Sequence, residues 1–301
     1  MLRRTLHRTL FASAVCFLWA GVHLIGSFHE LAAAEKRSLW KIQSKGNVVY
    51  LLGSIHYLKP QNYPLDPAIE AAFKDARKLV LEINLESMEK EQGQKLMFLK
   101  GVYTDGRTLQ EGVSAATYTL AERELKGLGL DIRALHQLKP WLVALTVTAL
   151  KLQKLGFDPN YGIDKYFYSK AKKENKEVLA LETLEFQMNL FDGMSEKTQE
   201  LMLLQTLKDA HSIGESIDRI VKAWASGDMG TLDSVMLQSL REYPEVYQRL
   251  IVERNRAWLP QIESYLTQNE NSLVVVGTAH LAGKDGVVEL LKAKGYSVEQ
   301  Q

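Results

Sequence analysis

Two stretches near opposite ends of this chain follow one plan. The first reads Val48-Val49-Tyr50-Leu51-Leu52-Gly53-Ser54-Ile55-His56-Tyr57-Leu58 and the second Leu273-Val274-Val275-Val276-Gly277-Thr278-Ala279-His280-Leu281. Each is an apolar β-type run, then Gly, a small hydroxyl residue, an apolar residue and His. Two copies of one strand-to-loop device, each delivering a histidine, point to a paired site. Histidine is the commonest metal ligand and the usual acid/base side chain near neutral pH. The repeat therefore speaks for chemistry more than for packing.

The surroundings of both copies read as strand-helix-strand units. Val48–Leu52 has the pattern of a buried strand. Asp66 is placed to cap a helix with Pro67 at its first position and Ile69, Ala72, Phe73 and Ala76 on one face. Leu79–Leu85 returns to a β-type run, and such crossovers give parallel neighbours. At the other end, Leu273–Val276 is a strand and Asp285 a cap for a helix with Val287, Val288, Leu290 and Leu291. Lys292 and Lys294 suit its last turn, Gly295 its stop, and Tyr296–Val298 a final strand.

Between the ends the pattern is helical. Pro140 starts an apolar helix to about Leu152, Asp164 can cap another to about Ala171, and residues 196–266 carry helical periodicity. Only Glu177–Leu181 reads as a strand there, with a helix from Leu184 to Leu190 after it. The expected fold is α/β: a central, largely parallel sheet built from two pseudo-symmetric strand-helix-strand ends with a helical insertion.

The N-terminal 34 residues read as a signal peptide, leaving 35–301 as a single domain. Arg3, Arg4 and Arg8 precede a mostly apolar stretch from Leu10 to Phe28, and Ala32-Ala33-Ala34 offers a cleavage site. A periplasmic or secreted location follows, with an inner-membrane anchor as the alternative. The one cysteine, Cys16, lies in that segment, so the remaining chain has no disulfide and no thiolate metal site. With 46% apolar residues and a net charge of +1, a sizeable core is expected and a nucleic-acid footprint is not.

In open parallel sheets ligands bind beyond the carboxyl ends of the strands. His56 and His280 follow two such ends, Glu82 lies toward a third and Glu182 follows a fourth. Two His and a carboxylate are a plausible divalent-metal set. Ser54 and Thr278 can orient a histidine, contact substrate or bond their own backbone. In Glu253-Arg254-Asn255-Arg256, Asn255 shares a helical face with Ile251, Trp258 and Ile262 and needs a partner there. An Arg, 254 or 256, can bind a carboxylate or steady developing negative charge. His136 and His211 read as surface residues. The stretch Gly277 to Asp285 is not a phosphate loop: its glycines are one residue too far apart, and Asp285 replaces the hydroxyl.

These residues resemble the TraB/GumN family, which includes the Tiki metalloproteases and the pheromone-shutdown proteins, over essentially all of the chain after residue 34. The carriers are Gly53-Ser54-Ile55-His56 and Gly277-Thr278-Ala279-His280, with Glu82. Gly162-Ile163-Asp164, Leu181-Glu182-Thr183 and Glu253-Arg254-Asn255-Arg256-Ala257-Trp258 are also similar. The resemblance extends to the wider erythromycin-esterase (EreA) and ChaN-like group and implies an α/β fold with pseudo-symmetric halves. For the Tiki branch it implies peptide hydrolysis with Mn²⁺ or Co²⁺, the ligand roles falling on His56, His280 and Glu82.

The expected function is thus a secreted or periplasmic metal-dependent hydrolase, peptidase-like, acting on a peptide or small molecule. Its metal would acidify a bound water. Glu82, if not a ligand, would be its base and Glu182 a second carboxylate, and Arg254 or Arg256, beside Asn255, would steady the oxyanion. The alternative is a binding protein, for haem through an axial ligand such as Tyr57 or for intact peptide, or an accessory factor in exopolysaccharide assembly. A membrane would be met only through the N-terminal segment.

Overall fold

A computed structural model describes residues 36–301, so the expected signal peptide lies outside the described residues. Six strands form one sheet: β1 (Leu39–Gln43), β2 (Val48–Ser54), β3 (Lys78–Leu81), β4 (Glu177–Ala180), β5 (Ser272–Gly277) and β6 (Val298–Gln300), in the order β4-β3-β5-β2-β1-β6. The middle is parallel, β4 on β3 on β5 on β2. β1 is antiparallel to both β2 and β6. The α/β expectation holds.

Three details differ from the sequence reading. β2 and β3 do not touch, because β5 from the far end of the chain lies between them. β3 stops at Leu81, so Glu82 stands just past the strand and Leu85 opens a short helix. The strand β1, which the periodicity did not reveal, closes a tight hairpin with β2, and it is β1 that pairs with β6.

Alternation along the strands builds two apolar layers. Leu52, Leu79, Leu81, Leu273 and Val275 face α1 (Pro67–Asp75), whose Phe73 meets Phe167, a residue of the helix that follows Gly162, with ring centres 5.0 Å apart. Val49, Leu51, Val80, Val274 and Val276 pack on the opposite face with Trp258, Ile262, Val287 and Leu291. These side chains are almost wholly buried, and each contributes about 1.5–3 kcal/mol by burial. The position that faces one layer in β2 is thereby fixed against its neighbour in β5.

Capping follows the sequence in one case and departs from it in two. Asp66 accepts the Ala68 N–H at 2.9 Å, with Pro67 at the first helical position. Asp285 does not cap its helix; Gly286 precedes Val287–Ala293, and the Asp285 carboxylate accepts the Tyr247 hydroxyl at 2.9 Å. Asp164 lies inside the first turn of its helix, Ile163–Lys173, with Gly162 at the cap.

The helical middle has its own apolar cluster. Val143, Ala144 and Val147 of α2 (Pro140–Lys154) pack against Leu109, Ala121, Leu125, Leu203 and Leu207. The remaining helices used below are α3 (Ile163–Lys173), α4 (Leu184–Asp192), α5 (Glu253–Leu266) and α6 (Val287–Ala293). Among the described residues no helix is long and apolar enough to cross a membrane.

Candidate active site

The parallel strands place the ends of β2, β3, β4 and β5 along one edge. Ser54 of β2 is level with Gly277 of β5, and Leu81 of β3 with Val275. The two repeats are therefore out of step by one residue: Gly53 lies beside Val276, not Gly277. Neighbouring positions on a strand point to opposite faces. After Gly277 the chain also turns at once into a helical turn, Thr278–His280. The same motif thus delivers its two histidines to different surroundings.

His56 opens onto a cavity, with more than half of its side chain accessible. Its Nδ1 lies 2.9 Å from Asp164 Oδ1, and the same oxygen accepts the Ser54 hydroxyl at 2.7 Å. Asp164 reaches the ring because α3 begins against the His56 loop. The Ile163 N–H bonds the Ile55 carbonyl at 3.1 Å, and a Cβ on Gly162 would lie 2.3 Å from the His56 carbonyl oxygen. Only glycine permits that approach. Asp164, foremost, with help from its hydrogen bond and from Glu82, pushes the His56 pKa up to about 9, outweighing desolvation at the cavity wall and the charge of Arg254. Burial would raise the Asp164 carboxyl, but His56 and Ser54 outweigh it and hold it low.

His280 is buried and holds the opposite state. Arg254 Nη1 lies 2.9 Å from its Nε2, and Asn255 Oδ1 lies 2.7 Å from its Nδ1. A guanidinium can only donate, so Nε2 accepts, and Nδ1–H donates to Asn255. Asn255 is fixed in turn by donating to the Asp285 carbonyl at 2.7 Å. Burial, followed by the charges of Arg254 and His56 and opposed by Glu82, drives the His280 pKa down to about 3.

Arg254 is the hub. Beyond His280, its Nη2 donates to Glu82 Oε2 at 2.6 Å and its Nε to Glu182 Oε1 at 3.0 Å. Trp258 Nε1 donates to Glu182 at 2.8 Å, and Gln187 Nε2 donates to both glutamates at 3.1 and 3.2 Å. Glu82 Oε1 accepts the Gly277 N–H at 2.6 Å. Burial acts to raise the Glu82 pKa, but the cations Arg254 and His56 and the Gly277 N–H hold it well below the usual carboxylate range. A Cβ on Gly277 would meet Glu82 Oε1 at 3.2 Å, the His280 ring at 3.6 Å and His56 Nε2 at 3.8 Å, so these groups converge on one point.

The residues that the resemblance marks for a divalent ion are brought together but, as arranged, do not fit one. Both ring nitrogens of His280 are engaged, and the guanidinium already supplies the positive charge between Glu82 and Glu182. Among the described residues no group of three His, Cys, Asp or Glu side chains is disposed to hold a metal.

Other expected site residues also move. Arg256 is exposed on the far side of α5 from the buried Arg254. Thr278 is buried and gives its hydroxyl to the Ser54 carbonyl at 3.0 Å, so it joins the two loops instead of facing substrate. Arg254 lies behind Glu82, off the cavity wall, and so holds carboxylates in place of an oxyanion. Glu182 is bound to Arg254 and Trp258, and Thr183 caps the helix that follows. Tyr57 lines the cavity, its hydroxyl kept protonated by burial and then Asp158. His136 and His211 are exposed, as expected.

The TraB/PrgY/gumN family profile matches residues 38–300. The chain belongs to that family. It is 23% identical over 243 residues to the Escherichia coli K12 protein named "Uncharacterized protein YbaP", across 81% of this chain and 87% of that one. With an uncharacterized protein of Treponema pallidum strain Nichols it shares 20% over 286 residues, 89% of this chain and 84% of that protein. No solved structure matches. In this TraB/PrgY/gumN chain sequence reasoning missed Gln187, on an ordinary helix face, and the role of Asp164, read there as a helix cap. The signal for Asp164 was present in Gly162-Ile163-Asp164: a glycine and a carboxylate at a helix start make an anion-bearing arm as readily as a cap.

Proposed function

We propose that this protein is a hydrolase of carbonyl compounds, an ester or amide, with His56 as its general base. The observation that supports it most is the Asp164–His56 pair, whose free Nε2 opens onto a cavity of about 560 Å³. Hydrogen bonding at Nδ1 fixes the tautomer and stabilises the imidazolium, so the ring is mostly charged at pH 7; Nε2 takes a proton from water in the neutral fraction, and turnover rises with pH toward about 9. The water oxygen bonds to the carbonyl carbon, and Nε2–H returns the proton to the leaving oxygen or nitrogen as that bond breaks. The Tyr57 hydroxyl, on the same wall, is the donor for the carbonyl oxygen. Glu82, fixed and anionic beside Nε2, orients the incoming water.

Export to the periplasm or beyond belongs to the same proposal and rests on the basic, apolar and Ala-rich character of residues 1–34.

The experiment is turnover of p-nitrophenyl esters and N-acetyl amino-acid p-nitroanilides by residues 35–301, wild type and His56→Gln, with and without chelator. The expected result is a loss of about 10²–10⁴-fold on substitution and little change with chelator. Unchanged turnover in His56→Gln overturns the proposal. Turnover that vanishes with chelator and returns with Mn²⁺ or Co²⁺ replaces it by a reading in which Arg254 withdraws to free His280 Nε2.

A further inference from the structure

The cavity beside His56 has its convergent polar groups at one end. His56, Glu82, Asp164 and Gln187 stand at the strand edge; away from it the wall is mainly apolar, and its charged side chains, Lys165 and Glu89, are paired with each other. Ile83 comes from the turn after β3, Leu85 and Met88 from the short helix that follows, and Leu145 and Ala149 from α2. Leu145, Thr148 and Ala149 are spaced as one helical face. That face of α2 is turned to the cavity, while Val143, Ala144 and Val147 pack into the helical core. Met88 and Leu145 are among the few large apolar side chains left substantially exposed. Single exposed apolar residues are ordinary, but two that line one cavity together with buried apolar side chains extend its apolar wall. A concave, mainly apolar chamber with a few convergent polar groups at one end is the usual form of a small-ligand site.

We infer that this chamber is a specificity pocket for an apolar group on the acyl side of the scissile bond, with Met88, Leu145 and Ala149 setting its size. The inference rests on the hydrolase reading above and names the substrate class: a carbonyl compound whose acyl part is a medium-length aliphatic chain or an apolar amino-acid residue. The carbonyl sits at His56 and the apolar group runs along α2. A charged group beside Leu145 and Ala149 would lose its hydration and gain a partner only by breaking the Lys165–Glu89 pair, which disfavours it.

The test separates the pocket from the chemistry. Hydrolysis is measured with acetyl, butyryl, hexanoyl and octanoyl p-nitrophenyl esters and with the N-acetyl-leucine and N-acetyl-lysine p-nitroanilides. The enzymes are wild type, Ala149→Trp and Leu145→Asp, each checked for an unchanged melting curve. Binding of octanamide, N-acetyl-leucinamide and acetamide to His56→Gln is followed by calorimetry, which needs no turnover. The expected result is a rise in kcat/KM of about threefold to fourfold per added methylene, and leucine preferred to lysine. In both pocket variants the length dependence should flatten while the acetyl ester is still cleaved. Tighter binding of N-acetyl-leucinamide than of octanamide to His56→Gln assigns the pocket to peptides, and the reverse to aliphatic acyl groups; both uphold it. Tight octanamide binding without any hydrolysis upholds the pocket and removes the hydrolase reading. A flat dependence on chain length in wild type, or octanamide binding no tighter than acetamide, overturns the inference.

Discussion

His56 and His280 hold equivalent places in a repeated motif, yet one is a charged ring on a cavity wall and the other a neutral ring bonded on both sides. The difference lies in their partners, a carboxylate for His56 and a guanidinium with an amide for His280. Gly277 sits between the two, where a methyl group would crowd Glu82 Oε1 at 3.2 Å and touch both rings. Its backbone is ordinary (φ −50°, ψ 133°), so alanine there imposes no conformational strain. Gly277→Ala is therefore expected to change stability by less than about 1 kcal/mol. It should lower ester or amide turnover by at least about tenfold, because the methyl group displaces Glu82 from the water it orients. Melting curves and kcat/KM on the same preparation check this; a fully active variant would remove Glu82 from the account.

The elements carry the same contrast. Both strands with their glycines were legible in the sequence, since short apolar runs bounded by turn residues have few other readings. Asp66 was legible as a cap because capping is a local interaction. What periodicity could not give was the insertion of β5 between β2 and β3, or the one-residue offset that separates the two histidines. Both depend on pairing between distant segments, and no local pattern encodes it. Asp164 was misread for the same reason: its helix start was visible, but the loop it packs on lies far away in sequence. Gly162 is where that packing is tightest. Gly162→Ala puts a methyl group 2.3 Å from the His56 carbonyl oxygen, so α3 must retreat from the loop. A loss of about 1–3 kcal/mol is expected in urea denaturation, together with a fall in the His56 pKa toward 6.5 as Asp164 moves away. Wild-type stability in that variant would show that the close approach is not needed.

At the scale of the molecule, α5 lies on one face of the sheet and the cavity helices α2 and α3 on the other. Arg254 reaches from α5 over the strand ends to tie Glu82, Glu182 and His280 together. The arrangement makes stability depend on pH in a definite direction. The folded His280 resists protonation down to about 3, whereas an ordinary histidine titrates at 6.5. Below 6.5 the unfolded chain takes up a proton that the folded chain refuses, and stability falls by up to about 1.4 kcal/mol per pH unit. Glu82 adds a further loss below its ordinary 4.5, as its depressed folded pKa is approached. His56 acts in the other direction: its ion pair is fully present below 6.5 and lost as pH rises through about 9. His280→Asn should flatten the limb between pH 6.5 and 4.5 in urea denaturation; an unchanged slope would mean that the ring is not held neutral. The central claim, a charged His56 paired with Asp164 beside a neutral His280, is tested most directly by NMR titration of ¹⁵N-labelled histidine in wild type and Asp164→Asn. The account predicts that His56 titrates at about 9 in wild type and well below that in the variant, while His280 stays a neutral Nδ1–H ring throughout the range in which the protein is folded. His56 titrating near 6.5 in both proteins, or His280 titrating there at all, would contradict it.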